Sequence, residues 1–236
     1  MKKFLGIVVL SLILFTELAV AKKTKMVTGK DYEGEIIWVK NAKIKLPPGK
    51  FKLIERYQYS VGWTIVAKSN WFAQFKGNVW DEDILIGQID AAKFLSQLRQ
   101  IYYEIIFMNK YDGCYPRNEY TVMKVRKKGA FFNCMIVRHI DVNKELYHPD
   151  DPQDHSAAYA KWYMKKNNLE APAIALCSEH FFYAPTVSET LLLYSHCLNP
   201  ETHGASKNKF TSEESSEYHP QNINNYPDKK KFMEEF

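Results

Sequence analysis

The sequence predicts an α+β protein: an antiparallel sheet or pair of sheets packed by two main helices, in one domain with a polar C-terminal arm. Three observations lead there. Several stretches alternate apolar and polar residues across turn chemistry, two others place apolar residues at helical spacing, and four cysteines occur in a chain that opens like an exported one.

The strands come first. Residues 35–39 read as an opening strand, and Lys43, Ile44, Lys45 and Leu46 alternate in the next one. Pro47, Pro48 and Gly49 then supply a turn. Over 51–66, Phe51, Leu53, Tyr57, Tyr59, Val61, Trp63 and Ile65 share one parity, while Lys52, Arg56, Gln58, Ser60 and Thr64 take the other. This is a half-buried strand, bent or turned near Gly62. A second sheet region runs over 120–126 and 131–142 as a hairpin, with Gly129 providing the positive φ of its turn. Phe132, Cys134, Ile136, Ile140 and Val142 fall on one face, and Asn133, His139 and Asp141 on the other.

Between the sheet regions, Leu95, Leu98, Ile101, Tyr102, Ile105 and Ile106 define a helix over 91–108 with Asp90 as its N-cap. A second helix spans 156–167, capped by Asp154 or Ser156, and presents Tyr159, Trp162, Tyr163 and Lys166 along one side. After Asn199 the composition turns polar. Residues 200–236 read as a surface arm whose short terminal helix, 228–236, docks back through Phe232, Met233 and Phe236. The core domain is accordingly 30–199.

Residues 1–21 have the three parts of a secretory signal: Lys2 and Lys3, the apolar run 4–15, and Ala19-Val20-Ala21 as the cleavage site. The run is shorter than the roughly 20 apolar residues of a membrane-spanning helix, and Glu17 interrupts its extension. Cleavage after Ala21 is expected, with an uncleaved tether as the alternative. Of 236 residues, 215 then remain, enough for one well-cored domain. The net charge of +5 falls by one, because two lysines and one glutamate leave with the leader. So mild and dispersed a balance speaks against a nucleic-acid partner.

All four cysteines follow the leader, and an even number in an exported chain reads as disulfides, with three pairings open. A hairpin centred near Val187 sets Cys177 opposite Cys197, within disulfide reach, and leaves Cys114 for Cys134. Zinc held by Cys177, His180, His196 and Cys197 is the competing reading. It suffers from strand geometry, since residues three apart, like adjacent ones, point to opposite faces.

Other candidate chemistry is sparse. His148, Asp150, Asp151, Asp154 and His155 gather oxygen and imidazole ligands for a divalent cation in one short loop, without EF-hand spacing. His139 and Asp141, two apart on a strand face, could serve as acid and base of a hydrolase, yet no nucleophile elbow, zinc-protease motif or P-loop accompanies them. Aromatic rings concentrate between Tyr57 and Trp80. Trp71 and Trp80, in the irregular SNWFAQFKGNVW, are the candidates for an exposed platform that takes a glycan, a peptide or another protein.

LPPGKF (46–51), LNPETHG (198–204) and EYHPQNINNYPDKKKF (217–232) resemble the ends of uncharacterised exported proteins of Gram-negative bacteria, which share an early LP-x-G turn and a late NPE-x-x-G segment with a His, Ile, Tyr-Pro and Lys tail. The resemblance implies a periplasmic or envelope location. It brings no activity and no site residue. The expectation is thus a periplasmic or secreted binding or structural module without a cofactor, its partner an envelope protein, peptide or glycan. A metal-dependent or His/Asp hydrolase, or a membrane-tethered partner-binding protein, stands as the alternative.

Overall fold

The computed structural model describes residues 26–39, 42–61, 65–91, 114, 120–128, 131–147, 155–184, 188–210, 212 and 214–236. The leader, most of the helix expected over 91–108, and the loop holding His148, Asp150, Asp151 and Asp154 lie outside these residues. Among them, no helix is long and apolar enough to cross a membrane.

One eight-stranded antiparallel sheet organises the chain. Its strands are β1 (Asp31–Glu33), β4 (Lys50–Val61), β5 (Ile65–Lys76), β6 (Val79–Ala91), β7 (Tyr120–Lys128), β8 (Phe131–Asp141), β9 (Ile174–Ala184) and β10 (Ser188–Leu198), in the order β1-β4-β5-β6-β10-β9-β8-β7. A separate ribbon pairs β2 (Ile36–Val39) with β3 (Ala42–Lys45). The helices are short: α1 (Val142–Tyr147), α2 (His155–Lys166) and α3 (Pro227–Glu235). Packing by two main helices is therefore not what the described residues show. Asp90, expected to cap a helix, sits in β6 opposite Val66.

One sheet face, here the arm face, packs the ribbon and the C-terminal arm. Ile37, Val39 and Leu46 meet Phe51, Leu53, Phe72, Ile84, Ile86 and Leu192 there, and further along Tyr218 of the arm is buried with Ile174, Leu176 and Leu198. The opposite helix face carries both disulfides. Cys177 and Cys197 pack with Trp80, Val142, Met164 and Ala175, and Cys114 and Cys134 with Ile136, Phe181, Tyr183 and Leu191. With apolar residues on both faces, the central strands lose the alternation of a half-wet sheet.

Strand bulges redistribute side chains that simple alternation would group. In β4 the register shifts between Leu53 and Glu55, so Phe51 and Leu53 stay on the arm face while Tyr57, opposite Ser69, turns to the other. The single aromatic face expected over 51–66 is split for this reason. In β6, Gln74 pairs with Glu82 and Phe75 with Trp80, which makes Asp81 the extra residue. Gly77 at φ 65° serves the tight turn between β5 and β6. Gly49 is needed for its backbone: φ 130° is a conformation that side chains rarely adopt, and a Cβ there would also displace Gln74 Oε1, the atom that accepts the Lys50 N–H.

The arm is more than a solvated strap. Ser216, Glu217, Tyr218 and His219 are buried, and Lys229 of α3 is buried beside them, reaching Glu217 at 3.4 Å, Asn208 at 3.2 Å and the Ser206 carbonyl. Phe232, Met233 and Phe236 dock on this layer as the sequence suggests. The polar composition of 201–226 reflects internal hydrogen bonding. Asn222 Nδ2, for example, donates to the carbonyls of Glu214 and Ser216.

Candidate functional site

The candidate site is a cleft on the helix face, between β5, β6 and β8 and the short helices. Its walls are Trp71, Trp80, Asp83, Ile140, Val142, Glu145, Leu146 and Met164, around a volume of about 80 Å³. Local sequence explains the placement. Trp71 and Asp83 are diagonal neighbours on adjacent strands, because Trp71 pairs with Leu85 and Asp83 with Ala73. Trp80 shares their face, since it pairs with Phe75 below the bulge. Asp141 ends β8 and caps α1 by accepting the Lys144 N–H at 3.0 Å, which brings Val142, Glu145 and Leu146 over the cleft. Segment 169–171 then returns against the β5–β6 turn, where Trp80 N–H donates to the Glu170 carbonyl at 2.8 Å.

The electrostatics of the cleft centre on Asp83. Trp71 Nε1–H donates to its Oδ2 at 2.9 Å. Burial pushes the carboxyl up to about 7, against the opposing pull of that hydrogen bond and of His196. Trp80 is 6% exposed, and its buried Nε1–H has no acceptor among the described residues. Such an orphaned donor costs about 1–3 kcal/mol unless something meets it. Tyr163 closes the outer edge through ring contacts with Trp71 at 6.3 Å and Phe75 at 6.4 Å. Asp83 and Glu145 are the metal-capable side chains in the walls, and no imidazole joins them.

The structure brings some predicted residues together and separates others. Cys177–Cys197 and Cys114–Cys134 are both disulfides, and Cys177 stands directly opposite Cys197 in the β9–β10 hairpin. With no free cysteine left, the zinc set of Cys177, His180, His196 and Cys197 has no thiolate. The bridges fit an oxidising compartment. Trp71 and Trp80 do form one site, yet as the walls of a cleft; Trp80, expected at the surface, is buried because α1 and α2 cover that end of the sheet. His139 and Asp141 part company. His139 is buried under the arm with its ring 5.6 Å from that of His219, while Asp141 is spent on the helix cap. Of the metal loop, only His155 is described, as the first residue of α2.

Sequence reasoning missed Asp83 as a site residue. The signal available was the acidic run Asp81-Glu82-Asp83 in a stretch of strand-forming residues, where alternation alone aims at least one carboxylate inward. No family model matches the chain, and no curated protein or solved structure matches it either.

Proposed function

We propose that this chain is an exported binding module of the bacterial envelope, cut after Ala21, that recognises a hydroxyl-bearing ligand through the indole-walled cleft, the hydroxymethyl arm of a sugar being the group that fits. The observation that carries this reading is the meeting of two opposite hydrogen-bonding needs in one small apolar space. Trp80 Nε1–H lacks an acceptor among the described residues, and Asp83 has a single indole N–H for a carboxylate able to accept several bonds. A hydroxyl answers both, because it donates one hydrogen bond and accepts others. An ammonium only donates, and a methyl group does neither.

Size narrows the ligand further. About 80 Å³ is well below the roughly 300–1,000 Å³ of pockets that enclose a whole small molecule. It is room for a few waters, so one projecting group enters and the rest of the ligand stays outside. The two disulfides support the exported location. A carboxylate kept where burial disfavours its charge is the kind of stability cost associated with binding sites.

The test is a titration followed by tryptophan fluorescence, with methyl glucopyranoside and its 6-deoxy counterpart as probes. The hydroxymethyl sugar should bind with a Kd of about 1 mM and the deoxy sugar at least about tenfold more weakly, the worth of one good hydrogen bond. Asp83→Ala should erase the difference. Equal binding of both sugars, or binding of neither, overturns the proposal.

A further inference from the structure

The geometry points to a zinc site formed by Asp81, Glu82 and His203, which ties the C-terminal arm to the sheet on the face opposite the cleft. The bulge in β6 sets it up. Neighbouring strand residues normally point to opposite faces, but the extra residue lets Asp81 and Glu82 address the same imidazole. His203 Nε2 lies 3.2 Å from Asp81 Oδ1 and 3.2 Å from Glu82 Oε1, and one ligand atom from each of the three residues falls within 4.8 Å of the others.

Two features separate this cluster from an ordinary ion pair. The first is length. Charge-assisted N–H···O contacts settle at about 2.7–2.9 Å. Ligands bonded at about 2.0–2.1 Å in a tetrahedron stand about 3.3 Å apart, close to the two separations from His203, and with all three ligand atoms within 4.8 Å of one another the carboxylates need only a small approach to complete the set. The second is the set of groups holding the other oxygens. Asp81 Oδ2 accepts from Gln74 Nε2 at 3.0 Å, and Glu82 Oε2 lies 2.9 Å from His196 Nε2. Glu82 is thus held through one oxygen while the other converges on His203, the outer support that metal-bound carboxylates have, and Asp81 is held through both, its Oδ1 shared between His203, Thr202 and Lys76.

Lys76 is the competitor: its Nζ lies 2.9 Å from Asp81 Oδ1, and the Thr202 hydroxyl donates to the same oxygen at 2.5 Å. The Lys76 side chain is half exposed and also donates to the Thr202 carbonyl at 3.1 Å, so an arriving dication displaces it into water at little cost. One imidazole and two carboxylates suit zinc, leaving a fourth position for water.

The experiment uses the full chain stripped with a chelator and titrated with zinc chloride by calorimetry, with cobalt(II) as a spectroscopic reporter. One zinc per chain is expected, with intense visible bands from tetrahedral cobalt. His203→Ala, a partly exposed position, should weaken zinc binding at least about tenfold with the near-UV spectrum intact. Gln74→Ala should weaken it about tenfold through lost support, and Lys76→Ala should tighten it. Zinc should also slow proteolysis of the exposed arm segment 206–210 in the parent protein and not in His203→Ala. Failure of the parent to take up one zinc, or uptake with the same affinity in His203→Ala, overturns the site.

Discussion

Asp81 and Asp83 stand two residues apart on β6 and meet opposite fates. Asp81 lies under the arm, where burial pushes its carboxyl up, but hydrogen bonds from Thr202, Lys76 and Gln74 and the charge of His203 outweigh it and hold it below the ordinary carboxylate range. Asp83 lies under the helices, where burial carries it up to about 7 and one indole N–H reaches it among the described residues. Both are aspartates on one strand, so residue type cannot explain the difference. Burial raises both, and the number of donors that the covering layer brings to offset it sets them apart. The arm arrives with Thr202 and His203, whereas α1 and α2 arrive with Val142, Leu146 and Met164.

The largest expected effect comes from breaking the well-supplied side. Asp81→Asn removes the charge that Lys76, Thr202 and His203 share and should cost about 2–3 kcal/mol, the worth of hydrogen bonds to a charged group whose cationic partners are partly solvated. Urea melts in chelator-treated buffer measure it, and a loss below about 1 kcal/mol would show that the network is a solvated ornament. The sign with pH follows from the lowered folded value. The stabilisation by Asp81 is complete above its unfolded value of 3.8 and fades as pH falls below it.

The under-supplied side should respond in the opposite direction. Because the folded value of Asp83 lies above its unfolded 3.8, the folded state holds the proton more tightly, and the contribution of this group to stability falls as pH rises from about 4 to about 7. A displacement of roughly 3 pKa units corresponds to about 4 kcal/mol at most, and partial solvation of the side chain reduces it to about 2. Asp83→Asn should therefore stabilise the protein by about 2 kcal/mol at pH 8 and by almost nothing at pH 4. A variant equally stable relative to the parent at both pH values contradicts the buried carboxyl.

The contrast also shows what a single sequence can carry. The hairpins β7–β8 and β9–β10, helix α2, and the pairing of Cys177 with Cys197 were readable because each depends on short-range periodicity or on symmetric counting about a turn. The β5–β6 hairpin was not, although Gly77-Asn78 marks its turn: with Phe72 on one face and Trp71, Ala73 and Phe75 on the other, its strands are covered on both sides and do not alternate. The bulges at Ile54 and Asp81 are invisible for a deeper reason. They depend on how many residues the partner strand offers, which is long-range information. The candidate site inherits that limit, since a one-residue offset in β6 decides which carboxylates face His203 and which faces Trp71.

The smallest predicted change sharpens the comparison most, because it alters the donor count at Asp83 without touching the carboxylate. Trp71→Phe keeps an aromatic ring beside Tyr163 and removes the one indole N–H that reaches Asp83 Oδ2. If donor supply sets the fate of each aspartate, losing this donor must push the Asp83 carboxyl still further above its ordinary range, since the hydrogen bond favours the charged form. The stability cost should be only about 1 kcal/mol, the net worth of one such bond. Carboxyl-carbon chemical shifts of the labelled protein, followed through a pH titration, give the midpoint directly. An upward move at Asp83 with Asp81 unchanged is expected. A midpoint that stays in place would mean that depth, not the count of donors, separates the two residues.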